Sequence, residues 1–138
     1  MARVKEFMTR DVVTVDGGDD ISQVARLMRD HDIGVLPVMD GRELKGVVTD
    51  RDLVIRALAE GRTTATAGEL VSGKPICLAP DDDENDAQKL MSQHDVRRLP
   101  VMDGGKIVGM VSVGDIAVRA SDRLAGTVME KTGPHNHK

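Results

Sequence analysis

Residues 36–41 read LPVMDG, and residues 99–104 read LPVMDG again. Six identical residues, 63 positions apart, do not recur by chance in a chain of 138. With that offset held, Glu6 meets Glu69, Leu27-Met28 meets Leu90-Met91, and His31-Asp32 meets His94-Asp95. Further along, Gly46 meets Gly109, Asp52 meets Asp115, and Arg56-Ala57 meets Arg119-Ala120. Between residues 6 and 57, 18 of 52 positions are identical without a gap, and others are conservative, such as Thr49/Ser112 and Leu53/Ile116. The chain is a tandem duplication. Two copies, fewer than the three or more that a solenoid needs, predict a closed pseudo-symmetric pair.

Each copy carries the same order of local signals. VVTV (12–15) and PICL (75–78) are short apolar, β-branched runs that predict extended strands. GDDISQVARLMRDH follows in the first copy, with Ile21, Val24, Leu27 and Met28 at helical spacing and Asp20 placed to cap. Its twin, PDDDENDAQKLMSQH, carries Ala87, Leu90 and Met91. VLPVMDGRELKGVVT and RLPVMDGGKIVGMVS predict β-hairpins turning at Asp40-Gly41 and at Asp103-Gly104-Gly105. DRDLVIRALAE and VGDIAVRASDRL close the copies as second helices. The expected fold class is therefore α/β (α+β), with two β-α-β-β-α repeats packed through their sheets. Repeat 1 spans 4–60 and repeat 2 spans 69–124. A linker occupies 61–68, where Thr66 and Glu69 suit a capping box, and the tail 125–138 is expected to be disordered.

Composition narrows the function classes. Phe7 is the only aromatic residue, so the core is aliphatic and methionine-rich, and a planar ligand has to be held by aliphatic side chains and backbone. A net charge of −4 and a pI of about 5.5 argue against a nucleic-acid partner. The lone cysteine, Cys77, rules out an internal disulfide and suits a reducing, cytoplasmic interior. No apolar run approaches membrane-spanning length, and the basic opening residues are not followed by the apolar stretch of a signal peptide.

The sharpest chemical signal lies just past each hairpin, where GVVTDRDL (46–53) and GMVSVGDI (109–116) share Gly-apolar-apolar-(Thr/Ser)-x-x-Asp. One reading is a capping box, Thr49 or Ser112 as N-cap and Asp52 or Asp115 reaching back. The other is a ribose-phosphate site, in which the carboxylate accepts from vicinal hydroxyls while helix amides favour an anion. The two readings are compatible.

On these residues the chain resembles a pair of cystathionine-β-synthase (CBS) domains, the tandem also called a Bateman module. The resemblance rests on the β-α-β-β-α duplication, on HDIGVLPVMD and HDVRRLPVMD, and on the two Gly-x-x-(Thr/Ser)-x-x-Asp motifs, and it covers about residues 4–122. It points toward the small stand-alone bacterial and archaeal members, a hypoxia-response type among them. It implies two clefts binding adenosine-containing ligands: AMP, ADP or ATP, with NADH and S-adenosylmethionine behind them. Ribose would meet Asp115 beside Ser112, the base lying against Val12, Val13, Thr14, Ile33 and Gly34. In the other cleft it would meet Asp52 beside Thr49, with Pro75, Ile76, Cys77 and Val96 around the base. Family geometry places Arg97 and Arg98 near the phosphates of the Asp115 ligand, where the first copy has Gly34-Val35. The Asp52 cleft has only Arg51 close in sequence. The resemblance also implies a homodimer formed through Leu53, Val54, Leu58, Ile116 and Leu124 of the second helices.

Other signals have plainer readings. His31 and His94 fall at helix C-termini, where an imidazole suits the dipole, and His135 and His137 lie in the tail. Cys77 reads as a buried thiol in a short strand. SGKPI lacks the glycine spacing of a phosphate-binding loop. Asp81–Glu84 suits a solvated helix N-terminus, and no metal site is expected. No nucleophile, base and orienting group come together, so the leading expectation is a non-enzymatic adenine-nucleotide sensor that regulates a partner. The alternative is a structural dimerisation or interaction module of a stress-response type with degenerate clefts. A third reading is a redox or metal-linked stress protein using Cys77 or the histidine tail.

Overall fold

The computed structural model describes residues 2–71 and 75–124. The tail 125–138 with His135 and His137, and the Ser72-Gly73-Lys74 part of SGKPI, lie outside the described residues. Among the described residues the chain divides into a first unit within 13–76 and a second unit that joins 2–12 to 77–124.

In the first unit, β1 (Val15–Asp16) pairs in parallel with β2 (Val35–Asp40), which pairs antiparallel with β3 (Glu43–Thr49). Helix α1 (Ile21–His31) connects β1 to β2 and buries Val24 and Met28 against Leu36, Val38 and Val48. Asp20 occupies the expected N-cap position, but its side chain makes no capping bond. Asp19 Oδ2 instead accepts the Asp16 N–H at 2.9 Å and closes the approach to the helix. The second helix, Asp52–Leu58, is wound as a π-helix, with Ala59 N–H donating to the Val54 carbonyl (2.8 Å) and Arg62 N–H to Ala57 (2.9 Å). Helix α2 (Ala67–Leu70) then packs Ala67 and Leu70 into the same core, its Thr66 N–H held by Glu69 Oε1 at 3.1 Å.

In the second unit, α3 (Glu84–His94) begins with the reciprocal bonds of a capping box. Asp83 N–H donates to Asp86 Oδ2 (3.0 Å) and Asp86 N–H to Asp83 Oδ1 (2.9 Å). Strands β4 (Arg98–Asp103) and β5 (Lys106–Ser112) form the second hairpin, and α4 (Val113–Leu124) is a regular α-helix. Both hairpins turn where LPVMDG ends, and both shift register at the same repeat position, between Val38 and Met39 and between Val101 and Met102. His31 and His94 are the last residues of their helices, as expected, each followed by an aspartate in the left-handed region.

The predicted leading strands are shorter than their apolar runs. Val12 N–H turns back on the Arg10 carbonyl at 2.8 Å, so the ladder of the first copy starts only at Val15. In PICL, Pro75 has no N–H to contribute, and only Leu78 bridges, pairing with Val101.

The two units do not follow the two sequence repeats. Residues 2–12, most of which belong to the start of repeat 1 in sequence, dock on repeat 2. Val4 N–H donates to the Asp82 carbonyl (2.6 Å), Lys5 N–H to Pro80 (3.0 Å), and Thr9 and Met110 exchange both backbone bonds (2.8 and 2.9 Å). Lys5 Nζ meets Asp81 Oδ1 at 2.9 Å, and the ammonium holds that carboxyl below the usual range. The basic opening residues thus find the acidic run. The expectation of a solvated run is corrected in part: Asp81 is exposed, but Glu84 is buried, its Oε2 accepting the Ala2 N–H at 3.4 Å.

Candidate functional site

The hydroxyl–carboxylate pairs sit where a strand ends and a helix begins in each unit. Thr49 N–H donates to Asp52 Oδ2 at 2.9 Å, and Asp52 N–H donates back to Thr49 Oγ1 at 3.1 Å. Ser112 and Asp115 repeat the geometry at 2.8 and 3.0 Å. Both capping boxes are therefore formed, and each carboxylate is held rigidly at the first turn of its helix. Ser112 and Asp115 are buried, at 7% and 5% exposure, whereas Thr49 and Asp52 are half-buried. The preceding loop supplies the next contact. Asp50 N–H donates to the Gly34 carbonyl, and Val113 N–H to the Arg97 carbonyl, each at 2.9 Å.

The glycine shared by both motifs has a packing cause. A Cβ on Gly46 would stand 2.6 Å from Val71 Cγ1, and its φ of +145° is strained for any side chain. A Cβ on Gly109 would run into Met8 and stand 2.9 Å from the Thr9 carbonyl. Each glycine admits the leading segment docked on its unit, so its recurrence has a packing cause.

The two arginines differ in place: Arg98 opens β4, and Arg97 precedes it in the bend after α3. Arg98 is the cross-strand partner of Ser112, so their side chains leave the ribbon on one face. Arg97 lines a groove of about 340 Å3 between α3 and α4, floored by Met91, Val96 and Ile116. In the first unit Val35 stands opposite Thr49 in place of Arg98. Asp50, a residue the sequence reading passed over, places its carboxylate 2.9 Å from where a Gly34 Cβ would be. Arg51 beside it is exposed.

The remaining candidates divide between the units. Val13, Thr14, Ile33, Pro75 and Ile76 share the first with Thr49 and Asp52, and Val13 and Ile33 pack against its core. Val12, Cys77 and Val96 share the second with Ser112 and Asp115. Cys77 corrects the expectation of a buried thiol in a strand: it is exposed and outside any strand, because PICL pairs only at Leu78. Partial desolvation, with the Asp82 carboxylate nearby, raises its pKa above the ordinary thiol value, which disfavours a nucleophilic thiolate. Among the described residues no three His, Cys, Asp or Glu side chains are grouped to hold a metal ion, and no helix is long and apolar enough to cross a membrane.

Against known proteins, the CBS domain matches residues 4–58 and again 67–122. The CBS domain-containing protein YhcV of Bacillus subtilis is 38% identical over 138 residues, covering 99% of both chains. Hypoxic response protein 1 of Mycobacterium tuberculosis is 38% identical over 85% of this chain and 84% of its own. The crystal structure of Hypoxic Response Protein I, with two coordinated zinc ions, has a TM-score of 0.79 at 36% identity, covering 86% of this chain and 99% of that one. CBSX2 in complex with AMP has a TM-score of 0.74 at 28% identity, covering 90% and 98%.

Proposed function

The chain belongs to the CBS-domain family, and on that premise we propose that it is a non-enzymatic regulatory module that binds an adenosine-containing ligand of the AMP, ADP or ATP class. The observation that carries this reading is the pair of preorganised hydroxyl–carboxylate boxes at helix starts, present in both units with matching bond lengths. A ribose presents vicinal hydroxyls that donate to a carboxylate, and a helix N-terminus favours the attached phosphate. The complex of CBSX2 with AMP supports the choice of ligand. Occupancy of Asp52 and Asp115 would alter the affinity of the module for a regulated protein.

Thermal unfolding with AMP, ADP, ATP, NADH and S-adenosylmethionine tests the proposal. A ligand at about 100 times its Kd adds ~2.7 kcal/mol, which in a chain of this size raises Tm on the order of 5–10 °C. A flat response to the whole panel would refute nucleotide binding.

A second reading, an interaction module that pairs with its own copy, is favoured by one face of the π-helix. Val54, Ile55 and Leu58 are 53%, 48% and 69% exposed there, beside a groove of about 270 Å3 floored by Ile21, Ala25 and Leu53. Large apolar side chains clustered on one helix mark an association surface more than scattered ones do. The expected species in light scattering is a dimer, and Leu58→Asp shifts it to monomer. A wild-type monomer at micromolar concentration would refute this reading.

A further inference from the structure

We propose that Arg56 is the positioning residue through which occupancy at Asp52 reaches residues 65–71, the segment that leads from the linker into repeat 2. The inference rests on the reading of Asp52 as a ligand carboxylate and adds a route for its regulation. Asp52 gives Oδ2 to the Thr49 N–H, while its Oδ1 faces Arg56 Nη1 at 3.7 Å, one turn along the helix. The same Nη1 donates to the carbonyl of Leu70, the last residue of α2. One guanidinium thus joins the candidate ligand group to a segment that belongs in sequence to the other repeat. The segment has its own tight fit in the first unit: Ala67 and Leu70 are fully buried, Gly68 N–H donates to the Gly17 carbonyl at 2.8 Å, and Val71 fills the space that Gly46 leaves.

The second unit repeats the placement with different chemistry. Arg119, the duplicate of Arg56, sets its guanidinium carbon 5.7 Å from the centroid of Phe7, and Phe7 is the repeat equivalent of Leu70. Its Nε lies 3.9 Å from the buried Glu84 Oε2, which also accepts from Ala2. In both units, then, the same repeat position reaches the docked leading segment at the same place. This accounts for the Arg-Ala identity of the two second helices, which a solvated helix face would not require.

The direction of the coupling follows from shared acceptors. Ribose hydroxyls donating to Asp52 take up part of the charge that holds Arg56, leaving its donors to the Leu70 carbonyl and tightening the segment. Linkage then requires that loosening the segment weaken the ligand by the same factor.

Amide exchange of residues 65–71 is the readout, first without ligand in Asp52→Asn, Arg56→Met and the double variant. Arg56→Met should speed exchange at least about fivefold, as expected for losing a hydrogen bond from a charged donor. Asp52→Asn should speed it less, and the double variant should match Arg56→Met, since neighbours acting in series are not additive. Arg56→Lys, which keeps a cationic donor, should restore protection. Saturating AMP should slow exchange of the segment in wild type and leave it unchanged in Arg56→Met. Additive single effects, or an AMP response that survives in Arg56→Met, would overturn the role of Arg56. If AMP stabilises no variant, the ligand reading of Asp52 falls, and the ligand-free cycle still decides whether Arg56 couples Asp52 to the segment.

Discussion

Arg98→Ala will weaken AMP at least about tenfold and leave adenosine unchanged, because a hydrogen bond from a charged donor contributes about 1.5–3 kcal/mol and only AMP carries the phosphate that receives it. The geometry singles out Arg98 over Arg97, since it is Arg98 that shares a strand face with Ser112. The effect is confined to the Asp115 cleft. In the first unit the matching position is Val35, and the Asp50 carboxylate stands at the helix start where the second unit has Val113. An extra negative charge there disfavours phosphate, so under the proposed function these two differences predict Asp115 as the tighter site for phosphorylated ligands. Asp115→Ala will weaken AMP and adenosine alike, by removing the contact common to both. It will also lower stability by about 1 kcal/mol, the worth of an N-terminal cap, because Asp115 Oδ2 accepts the Ser112 N–H at 2.8 Å. Calorimetric titration of both ligands into wild type and the two variants separates these outcomes. Equal losses for AMP and adenosine in Arg98→Ala would remove the phosphate assignment. Lowered Tm with unchanged affinity in Asp115→Ala would leave the box as a cap alone.

Gly46→Ala will destabilise the fold by about 2–4 kcal/mol, combining roughly 1–2 kcal/mol of backbone strain with roughly 1–2 kcal/mol of overpacking. The strain comes from a φ of +145°, and the overpacking from Val71 Cγ1 at 2.6 Å from the new methyl position. For a chain of this length that is a fall in Tm of about 6–12 °C. Val71→Ala in the same chain should recover at least about 1 kcal/mol relative to the sum of the two single changes, since the residues are in contact. Urea unfolding of the four proteins measures the coupling. A loss within about 0.5 kcal/mol for Gly46→Ala, the range of an indifferent surface site, would show that the leading segment does not press on β3.

Local chemistry made much of this molecule legible in sequence. The hairpins follow from Asp-Gly turns between alternating apolar runs, and α1 and α3 from apolar spacing ending at His31 and His94. Both hydroxyl–carboxylate boxes follow from a three-residue spacing whose partners are neighbours in the chain. Sequence grouped Arg97 with Arg98, and only the start of β4 at Arg98 separates them, placing Arg98 alone opposite Ser112. The duplication is legible because 18 identities at one fixed offset require no knowledge of packing, and together with the two Gly-x-x-(Thr/Ser)-x-x-Asp motifs it carries the resemblance to the CBS family that the domain match bears out.

Tertiary structure decided what depends on residues distant in sequence. In sequence the recurring glycines added weight to the ligand reading of the shared motif, and only Met8 and Val71 lying against them give a packing cause. Asp81–Glu84 looked solvated because an acidic run is normally satisfied by water. Glu84 is buried because Ala2 and Arg119 reach it from far along the chain. Cys77 looked buried because its neighbours are apolar, yet Pro75 cannot join a ladder and only Leu78 is drawn in. Sequence periodicity also could not distinguish the π-wound second helix of the first copy from the α-wound one of the second. The spacing of apolar residues states that a face is covered, but which segment covers it is set by backbone donors and acceptors brought together from opposite ends of the chain.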